Sequence, residues 1–182
     1  MPLQLSDKVR ALGDQAQREL VDEFSRIDTI AQENTQRVLA AFQDHRVADN
    51  YFAGTTGYGY DDLGRDKLDE IYANLFGTEA ALVRIQFVNG THAIASALFG
   101  ALKAGDALVS AVGAPYDTLL GVIGTAEKGH GSLKDYGVEY RQVELVDDAP
   151  DLEGIARTAA DPKVKAVLIQ RSKGYSTRAS LS

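Results

Sequence analysis

Residues 81–119 read ALVRIQFVNGTHAIASALFGALKAGDALVSAVGAPYDTL, and this stretch decides the fold. Ala81–Ile85 is a short apolar run of the kind that forms a buried strand, and Ala93–Leu102 is a longer run of small and apolar residues that predicts a helix. Ala107–Val112 repeats the strand signal. The alternation continues outward: a helix over Leu119–Ala126, a strand over Glu139–Leu145, a helix over Leu152–Ala160 and a last buried strand at Ala166–Ile169. Strands that alternate with helices imply parallel pairing and an α/β domain layered α/β/α. The tail after Ile169, QRSKGYSTRASLS, is polar and carries no helical period.

Upstream the texture differs. Val9, Leu12, Ala16, Leu20, Phe24, Ile27 and Ala31 recur at three- and four-residue steps, with Arg10, Asp14, Arg18, Glu19, Asp22 and Arg26 between them. That is an amphipathic helical stripe with one face to bury, against its own domain or a second subunit. Asp28-Thr29 is positioned to cap a second helical segment carrying Val38, Ala41 and Phe42. YFAGTTGYGYDDLG, residues 51–64, is rich in Gly and Tyr and reads as a long functional loop. Leu68, Ile71, Tyr72 and Leu75 then mark a helix that Gly77 stops. The expected organisation is a helical arm over 1–50 and an α/β domain over 51–182.

Composition narrows the function. The chain has 182 residues, 45% hydrophobic and 25% charged, which is the mixture of a folded globular protein. A net charge of −7 argues against a nucleic-acid footprint, which needs clustered Lys and Arg. With no Cys there are no disulfides, thiolate metal sites or Cys nucleophiles. The three His (His45, His92 and His130) are too scattered for a metal site, and none is expected. No apolar run approaches the roughly 18 residues of a membrane span, and MPLQLSDKVR lacks a signal-peptide core. The expectation is a cytoplasmic protein.

Three places can carry chemistry. Asn89-Gly90-Thr91-His92 joins the first strand to its helix. Unpaired N–H groups at a helix start, a Gly that permits close approach and a Thr hydroxyl together make an anion cup suited to phosphate. A plain helix N-cap with a turn Gly is the simpler reading of the same residues, and His92 serves either as a proton carrier or as a structural ring. Gly113-Ala114-Pro115-Tyr116-Asp117-Thr118 follows the second strand, at the end of the sheet where ligands of open α/β folds bind. Tyr116 is placed there to stack on a planar ring, or simply to pack under its loop. Tyr58, Tyr60, Asp61, Asp62 and Arg65 form the third group: a phenol and a guanidinium that bind anions, or a turn and helix cap. His130 reads as a loop residue, and Lys173 as a tail lysine that nonetheless sits just past a strand.

TGYGYDDLGRDKLDEIYANLFGTEAALVRIQFVNGTHAI, then LFGALKAGDALVSAVGAPYDTL and finally IQRSKGYSTRASL, resemble the amino-terminal half of the aluminium-resistance (methionine gamma-lyase-like) proteins. These are pyridoxal 5'-phosphate enzymes of fold type I, akin to the cystathionine lyases. The resemblance implies a partial three-layer α/β/α PLP-dependent-transferase domain with a helical arm. It implies that Asn89, Gly90 and Thr91 hold the cofactor phosphate, that His92 follows in the family pattern and that Tyr116 stacks on the pyridine ring. It further implies that Tyr58 reaches the phosphate of a neighbouring subunit in a homodimer or homotetramer. The cystathionine lyases have Tyr-x-Arg where this chain has Tyr58-Gly59-Tyr60, which leaves Arg65 as a possible replacement, and Asn89 stands in place of a Ser. No lysine of this chain, Lys173 included, matches the family's Schiff-base lysine, which is expected beyond residue 182. The implied function is the amino-terminal portion of a carbon–sulfur lyase acting on cystathionine- or methionine-type amino acids, inactive alone. The alternatives are a noncatalytic phosphate-ligand-binding or assembly module of the same fold, and an unrelated α/β domain that binds phosphate esters.

Overall fold

The computed structural model describes residues 4–56, 58, 60, 62–126 and 130–181. It divides into two compact units, 1–84 and 85–182.

The first unit is helical. Helix α1 (Asp7–Glu19) starts at Ser6, whose hydroxyl accepts the Val9 N–H at 3.4 Å. Helix α2 (Val21–Asp44) follows after a single residue, Leu20. The break therefore falls at Leu20, and the cap expected at Asp28-Thr29 is not formed. Thr29 donates its hydroxyl to the Ser25 carbonyl at 2.9 Å, a bond that keeps it inside an uninterrupted helix. The apolar stripe is real but uncovered: Leu12 is 58% exposed, Phe24 48% and Ile27 48%, and only Ala41 of α2 is buried. A 3₁₀ turn (Asp49–Phe52) leads into the Tyr-rich segment, and helix α3 (Leu63–Phe76) packs its buried Ile71 inward. Asp62 caps α3 by accepting the Arg65 N–H at 3.1 Å, and Gly77, at φ 64°, closes it in the left-handed conformation that glycine adopts without penalty.

The expected strand at Ala81–Ile85 is absent. The Val83 N–H donates to the Asp69 carboxylate at 2.7 Å and the Arg84 guanidinium pairs with the same carboxylate at 2.7 Å. Asp69 thus takes a donor that a strand ladder would need, and Ile85 is 93% exposed. An apolar run without a neighbouring strand has nothing to pair with.

The second unit is α/β. Helix α4 (Gly90–Ala101) precedes strand β1 (Ala107–Ser110), and helix α5 (Asp117–Ile123) follows it. Strand β2 (Glu139–Gln142), a two-stranded antiparallel hairpin of β3 (Leu145–Val146) and β4 (Ala149–Pro150), helix α6 (Leu152–Ala159) and strand β5 (Val164–Leu168) complete it. The main sheet runs β2-β1-β5 and is parallel throughout, with Leu108 opposite Tyr140 on one side and Ala166 on the other. All four residues of β1 are buried, as befits a central parallel strand. Leu98 and Leu102 from the α4 end, Leu119 and Ile123 from α5, and Leu133 and Val138 close a core around Leu108. The last strand is covered on one face only: Ala166 and Leu168 pack on that core, while Val167 is 42% exposed. Among the described residues no helix is long and apolar enough to cross a membrane.

Candidate functional site

Asn89 sits in extended backbone just before α4 and caps it, its side-chain oxygen accepting the His92 N–H at 2.8 Å. The first backbone bond of the helix runs from the Ala93 N–H to the Asn89 carbonyl. The amides of Gly90 and Thr91 precede it, at the positive end of the helix dipole. Asn89 therefore spends its side chain on the helix, and the anion-binding capacity lies with the backbone and hydroxyl groups beside it. Gly90 is not in left-handed backbone, and a Cβ built there meets nothing within 4 Å. No internal crowding demands glycine at this position; its effect is to leave the approach to the two amides open.

The Thr91 hydroxyl lies 2.7 Å from the Thr118 hydroxyl. This contact joins the first turn of α4 to the first turn of α5, and it brings the cup to within two residues of Tyr116. His92 turns its ring edge-on to Phe87, centroids 5.6 Å apart, and is exposed. This donor set (two amides, the one hydroxyl proton that the threonine pair does not spend on itself, and a helix dipole) fits a phosphate, because each group either donates or presents partial positive charge.

Tyr116 lies between β1 and α5, past the carboxyl end of the strand, and is half-buried. Its amide donates to the side-chain oxygen of Gln170, just beyond β5, at 2.7 Å. Its ring is stacked on Tyr175, centroids 5.6 Å apart with 28° between planes. The Tyr175 phenol beside it, and secondarily the Asp117 carboxylate, hold the Tyr116 phenol above its ordinary ionisation range. A separate open cleft of about 390 Å³ lies nearby, lined among others by Gly113, Glu144, Asp148, Gln170, Lys173 and Arg178. Neither Tyr116 nor the cup residues line it.

The structure thus brings Asn89, Gly90, Thr91 and His92 together and ties them to the Tyr116 segment through Thr118. Tyr58 belongs to the first unit and is 83% exposed. Arg65 faces the carboxylates of Asp62 and Asp66 at 4.0 and 3.6 Å. Gly59 and Asp61 lie outside the described residues. His130 is an exposed loop residue, as is Lys173. Sequence reading quoted Thr118 as the last residue of the Gly113–Thr118 motif without giving it a role, and did not single out Gln170 or Tyr175. Gln170 and Tyr175 reach Tyr116 from more than fifty residues away, a contact with no local signal.

Known proteins share this arrangement of elements. A crystal structure of a candidate cystathionine beta-lyase involved in aluminum resistance from Clostridium acetobutylicum superposes with a TM-score of 0.91 at 45% identity, covering 97% of this chain and 43% of that one. A carbon-sulfur lyase involved in aluminum resistance from Clostridium novyi NT gives 0.90 at 44% identity, over 98% of this chain and 43% of that one. The uncharacterized protein YnbB of Bacillus subtilis is 49% identical over 156 residues, 85% of this chain and 37% of YnbB. The chain thus spans well under half the length of these relatives. The methionine gamma-lyase family model matches residues 9–182. With nearly every residue inside that match, and the parallel sheet and helices superposing on solved relatives, the chain belongs to the methionine gamma-lyase family.

Proposed function

We propose that this chain is the part of a pyridoxal 5'-phosphate-dependent carbon–sulfur lyase that holds the cofactor's phosphate and ring. The substrate class is a sulfur amino acid of cystathionine or methionine type, and the fold is the three-layer domain of fold type I. The observation that carries the reading is the 2.7 Å contact of Thr91 with Thr118, which couples an anion cup to an aromatic platform at the end of a parallel strand.

In this reading the Gly90 and Thr91 amides donate to the phosphate, together with whichever hydroxyl of the Thr91–Thr118 pair accepts from the other and so keeps its own proton, while Asn89 keeps the helix start in register. Tyr116 lies against the pyridine ring, fixing its plane. When bound, the cofactor supplies an electron sink for the amino-acid substrate. His92, exposed beside the cup, is placed to exchange protons with groups held there. Lys173 is exposed in a polar loop rather than seated beside the cup, and the Schiff-base lysine is expected outside residues 1–182. The uncovered stripe of α1 and α2, with the exposed Tyr58, favours a homodimer or homotetramer in which Tyr58 approaches a neighbouring subunit's cup. A cytoplasmic location accords with the chemistry.

Equilibrium dialysis with pyridoxal 5'-phosphate tests the site: uptake that inorganic phosphate competes away is expected, and a folded chain that takes up neither ligand overturns the reading. Sedimentation tests the assembly, since a folded monomer at high concentration removes the interface.

A further inference from the structure

We infer that Tyr175 is a positioning residue for the ring site: the loop after β5 fixes the plane of Tyr116 by stacking on one face of it. The inference rests on the proposed role of Tyr116 as the ring-binding residue and adds the element that orients it.

The contacts along the loop support it. Gln170 accepts the Tyr116 amide at 2.7 Å and donates its own side-chain N–H to the Ser172 carbonyl at 3.1 Å, so one amide group ties the Tyr116 backbone to the start of the loop. Gly174, at φ 57°, passes so close to the ring that a Cβ there stands 3.0 Å from Tyr116 Cδ2. Tyr175 then covers a face of the ring at 5.6 Å. Arg178 gathers the loop from within, donating to the carbonyls of Gln170 at 3.2 Å, Ser172 at 2.9 Å and Ala179 at 2.7 Å. The loop is closed at its base by the Leu181 N–H on the Arg171 carbonyl at 2.9 Å.

This arrangement distinguishes a support from a plug. Tyr175 is 84% exposed, so its own burial does not explain its place; the stack on Tyr116 does. A plug that a ligand must displace would be loosely held. Here the loop is bonded to the same residue it covers and clamped by a guanidinium on three carbonyls, which is how a rotamer is locked from behind. A Tyr at position 116 with a free side chain has two soft torsions to freeze when it stacks on a ligand, and Tyr175 restricts both beforehand. The Tyr175 phenol also holds the Tyr116 phenol above its ordinary ionisation range, a second sign of the same contact.

The test uses the full chain with Tyr175→Ala and Tyr175→Phe, and two probes, pyridoxal 5'-phosphate and inorganic phosphate. Tyr175→Ala is expected to weaken pyridoxal 5'-phosphate by about two- to tenfold, the size of an aromatic pair. It should leave inorganic phosphate unchanged, and Tyr175→Phe should restore the ring ligand. Unchanged or tighter binding of the ring ligand in Tyr175→Ala overturns the inference, and so does equal loss of both ligands, because the loop would then be scaffold for the whole site. Ultraviolet titration of the phenols, with Tyr116→Phe to assign Tyr116, needs no ligand. In Tyr175→Ala, which removes both the stack and its phenol, the Tyr116 phenol should ionise at lower pH than in the parent protein. An unshifted titration removes the contact even if the cofactor binds. If the parent chain takes up no pyridoxal 5'-phosphate, the cofactor reading fails while this titration still decides the positioning role.

Discussion

Replacing Gly90 by Val separates a ligand cup from a helix cap. Gly90 is the first residue of α4, its backbone is not left-handed, and a Cβ there meets nothing within 4 Å. Valine costs the folded chain little, within about 0.5 kcal/mol, because its helix propensity is no worse than that of glycine and no atom must move. For a phosphate the same side chain is severe: two rigid methyl groups stand in front of the Gly90 and Thr91 amides. Bonds from such donors to a charged group are worth about 1.5–3 kcal/mol each. Loss of one such bond weakens binding by roughly tenfold to more than a hundredfold at 1.4 kcal/mol per factor of ten. Gly64 gives the contrast, since a Cβ there collides with the Tyr51 carbonyl oxygen and the cost falls on folding instead. Equilibrium dialysis with pyridoxal 5'-phosphate reads the first quantity and urea denaturation of the ligand-free protein reads the second. Unchanged affinity in a Gly90→Val protein of unchanged stability moves the phosphate elsewhere. A stability loss well beyond 1 kcal/mol shows that the glycine serves packing and refutes the reasoning from open space.

Leu108→Ala removes a side chain that is 1% exposed at the centre of the sheet and should cost about 2–5 kcal/mol in urea denaturation; a loss below 1 kcal/mol would mean the core can collapse around it. Arg141 bonds the carboxylates of Glu139 at 2.9 Å and Asp161 at 2.7 Å and, with the Lys163 amide on Asp161, holds both below their ordinary ionisation range. A carboxylate whose folded pKa is depressed stabilises above its unfolded value and loses that contribution as pH falls through the folded one. Arg141→Met should therefore flatten the acid side of the stability profile below about pH 4, and an unaltered profile counts against the pairing. Borohydride treatment of residues 1–182 with stoichiometric pyridoxal 5'-phosphate should leave Lys173 unmodified by mass analysis; a phosphopyridoxyl adduct there would overturn its assignment as a solvated lysine.

Local signals carried the secondary structure, and non-local contacts decided where they failed. The caps at Asn89 and Asp62 and the stop at Gly77 are short-range devices, each bonding within a few residues, so a linear pattern contains them. The parallel sheet followed from alternation in the same way. Ala81–Ile85 has the composition of a strand, yet its fate was set by Asp69, which lies fourteen residues before Val83 and takes its amide. The arm shows the opposite case. Its stripe runs through Leu20 without interruption, and the residue at the break has no side-chain cap to announce it. The site divides along the same line. The proposed cup at Gly90 and Thr91 could be named from the sequence because it is built from consecutive residues at a helix start. The orientation of Tyr116 was not, because Gln170 and Tyr175 reach it across the sheet, and a glutamine and a tyrosine in a polar tail look like any others until the fold brings them there. Groups assembled from one turn can be proposed from a sequence, whereas the contacts of Gln170 and Tyr175 with Tyr116 come from a neighbouring strand end and become visible only in three dimensions.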